Sequence, residues 1–327
     1  MMIGLNYFCD PLLQASSLGC LLLGASCGLI GTLLLLRQAC LIGETLSHAS
    51  YPGLMLSALI ISSFDLNFFD DSTISHVDLI LLLGALISSS LGFYLYSLMT
   101  RSRISSDAAL GWILASFLGI GVLMASRLQF ITPRLYQRSQ AFLYGQAATL
   151  TMVHVKLLTL EFILILGTFF FGYRSLLCTH FDLPFAKTQK MQHPLFQIWL
   201  YALTNALIVS GIRTGGVLVI AAILVAPAVA SRAFSTSVKQ MAIGAALIGA
   251  FSSFIGHVAS VEVELFLHDK SVDTIFFPTG PSIAIVACLL ALLFRLLTPR
   301  TGVVYMVWQR RKRTGELLKA LNEQRKP

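Results

Sequence analysis

Glu44 and His48 stand four residues apart in the polar run Arg37-Gln38-Ala39-Cys40-Leu41-Ile42-Gly43-Glu44-Thr45-Leu46-Ser47-His48-Ala49-Ser50-Tyr51-Pro52-Gly53, inside an otherwise apolar chain. On a helix that spacing is one turn, so a carboxylate oxygen and an imidazole nitrogen can converge on one point. Together they make half of a site suited to manganese, iron or zinc, and ligand type alone does not select among these metals. The same spacing serves a Glu-His hydrogen bond that only braces a helix bundle, and both readings stand on the residues themselves. A second pattern, Gly24-Ala25-Ser26-Cys27-Gly28, fits the G-x-S-x-G turn that presents a nucleophilic serine. It lies within an apolar run, however, where Gly24 and Gly28 form a G-x-x-x-G face for close helix packing, and packing is the reading adopted. No G-x-x-x-x-G-K-[ST] phosphate loop, no H-E-x-x-H and no Cys/His cluster at structural zinc spacing occurs.

The elements that must position these groups are set by composition. Of 327 residues, 56% are hydrophobic and 12% charged, far below the roughly one quarter charged of soluble domains. Apolar stretches long enough to cross a bilayer recur along the chain. Lipid offers the backbone no hydrogen bonds, so an all-α polytopic bundle of about eight or nine membrane helices follows. The spans read at 17–36, 45–63, 79–99, 109–126, 152–172, 195–212, 215–230, 241–261 and 281–298. The stretch 195–230 is divided at Arg213-Thr214-Gly215-Gly216, a poor helix interior; leaving it whole gives eight. No Lys or Arg precedes Arg37, so the basic start of a cleavable signal peptide is missing and the first run is expected to remain in the membrane.

Charge sets the orientation. Loop 64–78 carries Asp65, Asp70, Asp71 and Asp78 without a cation, and loop 262–280 carries Glu262, Glu264, Asp269 and Asp273 with Lys270 alone. Both are expected outside. Arg101 to Arg103, Lys187 to Lys190, Arg232 to Lys239 and the C-terminal segment are expected inside. Nine spans with an external N-terminus satisfy these assignments, with Arg127, Arg134 and Arg138 left outside as the misfit. The net charge of +8 is local: Arg295 to Pro327 holds nine Lys or Arg against Glu316 and Glu323, supplying +7. The chain therefore divides into a transmembrane domain, 1–300, and a basic cytoplasmic tail, 301–327. The aromatic interleaving of a nucleic-acid platform is missing, so nucleic acid is not read as a partner. Cys9, Cys20, Cys27, Cys40, Cys178 and Cys288 form no C-x-x-C pair and read as small core residues.

At this point the sequence resembles the ABC-transporter permeases for manganese, zinc and chelated iron, often called family 3. Their second span is marked by an Arg, a Gly-Asp, a Ser-His-Ala and a Pro-Gly. Here Arg37, Gly43-Glu44, Ser47-His48-Ala49 and Pro52-Gly53 follow in that order, with Glu44 in place of Asp on a longer arm. Ser106-Asp107-Ala108-Ala109-Leu110-Gly111, Phe142-Leu143-Tyr144-Gly145-Gln146 and the run from Gly216 to Ala230 with Pro227-Ala228 are similar to three further family stretches. One departure stands out: relatives carry an acidic residue two before Pro-Thr-Gly, where this chain has Phe276-Phe277-Pro278-Thr279-Gly280. His257, Glu262 or Asp273 are candidates to substitute, although an acidic loop is more commonly a solvated surface.

The resemblance implies a transport subunit rather than an enzyme, in a bacterial inner membrane, passing a divalent metal ion through Glu44 and His48 with no permanently bound cofactor. It implies cytoplasmic ABC ATPase subunits, an external metal-binding solute protein and a second permease as partners. It also implies a coupling helix at the ATPase, placed on the short basic segment Ser231-Arg232-Ala233-Phe234-Ser235-Thr236-Ser237-Val238-Lys239-Gln240. Rival readings are a permease for iron-siderophore or cobalamin-type substrates, an ion-gradient-driven secondary transporter, which predicts an internal repeat of the Glu44 segment that is not found, and a membrane enzyme resting on Ser26.

Overall fold

The computed structural model describes residues 11–63, 74–102, 104–145, 147, 150–181, 194–217, 219–269 and 278–298. The basic tail and Asp273 lie outside them. Among the described residues there are ten helices and no strand: α1 Pro11–Leu36, α2 Leu41–Ser63, α3 Ile74–Arg101, α4 Ser106–Ile131, α5 Pro133–Tyr144, α6 Met152–Phe181, α7 Pro194–Gly215, α8 Ile220–Phe234, α9 Val238–Asp269 and α10 Thr279–Leu297. Seven of them, α1, α3, α4, α6, α7, α9 and α10, are long and apolar enough to cross a membrane. α2 has the length, at 23 residues, but its Ser, Thr, Glu and His residues dilute its apolar character. α8 has only 15 residues. The chain is a multi-pass membrane protein.

Nine of the ten helices coincide with the nine spans read from sequence. The tenth, α5, was not read, because its 12 residues are mixed polar and apolar. Pro133 opens it at a position where the missing N–H costs nothing. The break in the 195–230 stretch falls later than the sequence placed it: α7 runs through Arg213 to Gly215, and the chain turns at 216–219.

α1 is the central strut. Its apolar window is 78% buried, against 22% for α6 and for α10, and it packs on α6, α8 and α9. The α1–α9 crossing is close because both helices present glycine. A Cβ on Gly24 would come within 2.2 Å of the Gly249 carbonyl oxygen, and one on Gly28 within 2.2 Å of that of Ala245. Ser26, between the two glycines, is fully buried. The G-x-S-x-G match is a packing seam inside a helix and not an exposed nucleophile turn.

α2, α3 and α4 form a second group, and α7 passes between the two, touching helices of both. Three stretches that carry the family resemblance meet in one junction: the end of α5, the break after α7 and the start of α10. Gly145 (φ 75°) and Gly216 (φ 84°) adopt the left-handed backbone that favours glycine, and there a Cβ on Gly145 would meet the Gly216 nitrogen at 2.6 Å. The Ala147 N–H donates to Thr279 Oγ1 (2.9 Å), and the Val217 N–H to the Phe142 carbonyl (3.3 Å). The backbones approach so closely that side chains would hold them apart.

Candidate functional site

α2 places Glu44 in its first turn and His48 in its second. The helix starts inside the bundle: Gly43 packs against Leu224 of α8, whose carbonyl also abuts Gly31 of α1, more than a turn inside the end of α1 at Leu36. His48, one turn further on, is buried among the neighbouring helices. Local hydrogen bonds absorb most of the polar side chains around the pair. Thr45 Oγ1 donates to the Leu41 carbonyl (2.9 Å), Ser47 Oγ to that of Glu44 (2.8 Å) and Ser50 Oγ to that of Ser47 (2.5 Å).

Glu44 and His48 are left over. Glu44 is half-buried and His48 is 7% exposed, with its Nδ1 buried and without a hydrogen-bond partner. The two side chains do not hydrogen-bond to each other. Pro52 sits one helical turn after His48 and has no N–H, so the helical bond to the His48 carbonyl is missing and that oxygen is freed. The Glu44 carboxylate and, one turn on, the imidazole and freed carbonyl of His48 are donors of the types that suit a borderline divalent ion such as manganese, zinc or iron. Among the described residues no group of three or more His, Cys, Asp or Glu comes together, so the pair by itself offers only a partial, low-coordination set of donors. That suits an ion in passage better than one held permanently.

Of the candidates to substitute for the missing carboxylate, Asp273 lies outside the described residues, and the other two do not join the pair. His257, fully buried in α9, faces α1, where its Nε2 lies 3.0 Å from Ser16 Oγ. Glu262 is exposed on α9.

The 231–240 segment is not a separate helix. Ser231–Phe234 is the last turn of α8, 235–237 is a turn, and α9 begins at Val238. The turn is stable because Gln240 Oε1 accepts from the Thr236 N–H (3.2 Å) and hydroxyl (2.7 Å), while Ser237 Oγ accepts from the Gln240 N–H (3.3 Å), a reciprocal helix cap. Ser231 and Ala233 are buried, and the Ser231 hydroxyl donates to the Met241 carbonyl (2.8 Å). Ser235 is half-buried, and its hydroxyl donates to the Ser231 carbonyl (2.7 Å). Arg232, Phe234 and Lys239 are exposed, with Lys239 Nζ 4.8 Å from the Tyr173 ring centre.

Two polar groups within the helices escaped sequence reasoning, one buried and one half-buried. Asp78, read as part of an acidic outer loop, is 4% exposed within α3. Arg138 of α5 donates to its Oδ1 through Nε (2.9 Å) and a terminal nitrogen (2.7 Å), and Arg213 of α7 donates to its Oδ2. Arg213 also contacts His154 Nε2 (3.0 Å), whose Nδ1 is held by Thr151 Oγ1 (2.9 Å). The misfit of Arg138 on the outer side is thereby explained: its charge is met by Asp78. The second group is Glu161, at mid-span in α6, which accepts a 2.7 Å hydrogen bond from Ser210 of α7. Partners this distant in sequence leave no local signal.

The molecule is an all-helical polytopic membrane bundle with Glu44 and His48 one turn apart in its second helix. Residues 9–297 match the ABC 3 transport family, and the chain belongs to that family. It is 33% identical over 299 residues to a probable metal transport system membrane protein of Chlamydia pneumoniae, covering 91% of this chain and 65% of that one. It is 32% identical to the zinc transport system membrane protein TroC of Treponema pallidum, covering 94% and 96%, and 30% identical to the manganese transport system membrane protein MntC of Bacillus subtilis, covering 94% and 66%. The chain thus spans about two thirds of the length of some of these relatives. Its fold is similar to that of PsaBC from Streptococcus pneumoniae, solved in complex with Fab, with a TM-score of 0.71 at 22% identity over 92% of this chain and 98% of that one.

Proposed function

We propose that this chain is the membrane-spanning subunit of an ATP-driven importer that carries a divalent transition metal, manganese, zinc or iron, across a bacterial inner membrane. The observation that carries the reading is the Glu44–His48 pair, whose buried imidazole Nδ1 has no hydrogen-bond partner, on a helix whose proline frees the His48 carbonyl. Relatives named for zinc and for manganese support a metal as cargo. The metal is a passenger and no resident cofactor is invoked. Two copies, or this chain with a second permease, complete the coordination from two half-sites. Cytoplasmic ABC ATPase subunits supply the energy, since the sequence has no phosphate loop, and an external solute protein delivers the ion.

The edge formed by Arg232, Phe234 and Lys239 is the surface offered to the ATPase. α8 runs from it to Ile220, which packs on Gly211 of α7 close to Leu23 of α1. A push at the turn moves α8 as a rigid lever against the Gly43 end of α2, where Leu224 makes contact.

Reconstitution of the chain with its partner subunits in liposomes tests the proposal. ATP-dependent uptake of one of manganese, zinc or iron, abolished by Glu44→Ala and by His48→Ala in complexes that still assemble, is the expected result. Uptake indifferent to both variants removes the site. Uptake of a chelated iron or cobalamin-type substrate instead removes the metal-ion reading.

A further inference from the structure

Between α3 and α7 lies a lateral cavity of about 430 Å³. Its floor is Ser90 and Asn205, joined by a 3.0 Å hydrogen bond from Asn205 Nδ2 to Ser90 Oγ. The Ser90 hydroxyl already donates to the Leu86 carbonyl (2.7 Å), so toward Asn205 it can only accept, which fixes the amide orientation. Its walls include Phe93, Leu98, Ile198 and Ala202, and Tyr94 and Arg101 stand toward its mouth. Arg101 is exposed, ends α3 and has no ion-pair partner among the described residues.

Dimensions and charge identify the occupant. From Ser90 to Arg101 is eleven helical residues, about 16 Å at 1.5 Å per residue. That is roughly half of a ~30 Å hydrocarbon core, so the cavity runs the depth of one leaflet, from a closed polar floor at the midplane to a guanidinium at the surface. The α3 end carries the basic residues that the charge rule places in the cytoplasm. Tyr94, 60% exposed, lines the cavity between its floor and Arg101.

We propose that this cavity binds an anionic phospholipid of the cytoplasmic leaflet, one acyl chain lying along Phe93, Leu98, Ile198 and Ala202 and the phosphate on Arg101. A basic pocket between membrane helices at the cytoplasmic face is the arrangement that retains acidic headgroups. The cation behind the wall adds to the field: Arg37 donates to the Tyr201 hydroxyl (2.8 Å), and Tyr201 lines the cavity. The inference is independent of the metal reading.

Native mass spectrometry of the full chain, extracted in mild detergent with the subunits it carries, tests it. Phosphatidylglycerol and phosphatidylcholine of one acyl composition are offered at equal concentration, with thermal unfolding recorded for every variant. Expected is preferential retention of phosphatidylglycerol, lowered about fivefold by Arg101→Gln, abolished by Ala202→Trp, which fills the groove, and unchanged by Arg174→Gln or Arg295→Gln, exposed cations elsewhere. Equal retention of both lipids, or equal loss from all three arginine variants, overturns the proposal. So does dissociation of a dimer by Ala202→Trp with lipid retention intact. Arg101 is a surface residue, so its variant is informative even if Ala202→Trp does not fold.

Discussion

Asp78 of α3 and Arg213 of α7, 135 residues apart in the chain, form a buried ion pair that a second guanidinium, from Arg138 of α5, completes on the other carboxylate oxygen. One carboxylate thus ties three helices beside the glycine junction at which α7 ends and α8 begins. Removing it strands two cations in a low-dielectric site, which costs far more than the intact network contributes. Asp78→Ala is expected to destabilise the protein by about 3–5 kcal/mol, read as a lowered thermal unfolding midpoint in detergent. Arg138→Gln, whose side chain is 29% exposed, is expected to cost less than Arg213→Gln, at 12%. The reverse order would mean that α5 rather than α7 is the element held.

The α1–α9 seam makes a separate prediction. Gly28→Val sets side-chain carbons where Ala245 backbone atoms already lie within 3 Å of a Cβ, and the helices must part. A loss of at least 1–3 kcal/mol is expected from overpacking, whereas Ser26→Ala, which removes a hydroxyl with no partner, is expected to be neutral or mildly stabilising. Labelling of Ser26 by a serine-hydrolase probe would contradict its role as a packing residue.

Pro52→Ala restores the N–H that the His48 carbonyl lacks. The variant is expected to unfold at a temperature equal to or above that of the parent, because a helical hydrogen bond is gained, and to transport more slowly, because a cargo-facing oxygen is withdrawn. Parallel unfolding and uptake measurements separate these effects; unchanged uptake would show that the carbonyl takes no part.

Glu44→Asp shortens the ligand arm by one methylene while keeping its charge. The expected outcome is retained uptake with an altered preference among manganese, zinc and iron, measured by competition in proteoliposomes. Glu44→Gln is expected to lose uptake without loss of fold, since the carboxylate has no partner to abandon.

At the turn between α8 and α9, Arg232→Glu with Lys239→Glu is expected to weaken co-purification of the ATPase while leaving stability within about 0.5 kcal/mol, as surface substitutions generally do. Ser231→Leu, at a buried hydroxyl that bonds the Met241 carbonyl, is expected to fail by unfolding instead. A stable Ser231→Leu that alone loses the ATPase would move the docking surface inward.

The sequence by itself determined the solvent, the helical class, the approximate spans and the one-turn spacing of Glu44 and His48 on a helix. Each of these is a local property: a run of apolar side chains long enough for a bilayer, or two polar side chains one helical turn apart, is written in adjacent residues. It also placed the glycine break near 213–216 within a few residues, because glycine and a charge weaken a helix wherever they occur. Only the tertiary structure decided what spacing cannot encode. Asp78 became a buried anchor rather than a surface charge because Arg138 and Arg213 reach it from two other helices. α5 escaped notice because a short amphipathic helix takes its stability from the faces it meets. The basic segment after Pro227 became the end of one helix and the start of another, because Ser231 and Ala233 found burial against α9. Burial and ion pairing depend on which distant segment arrives, and in a membrane bundle that is settled by helix packing.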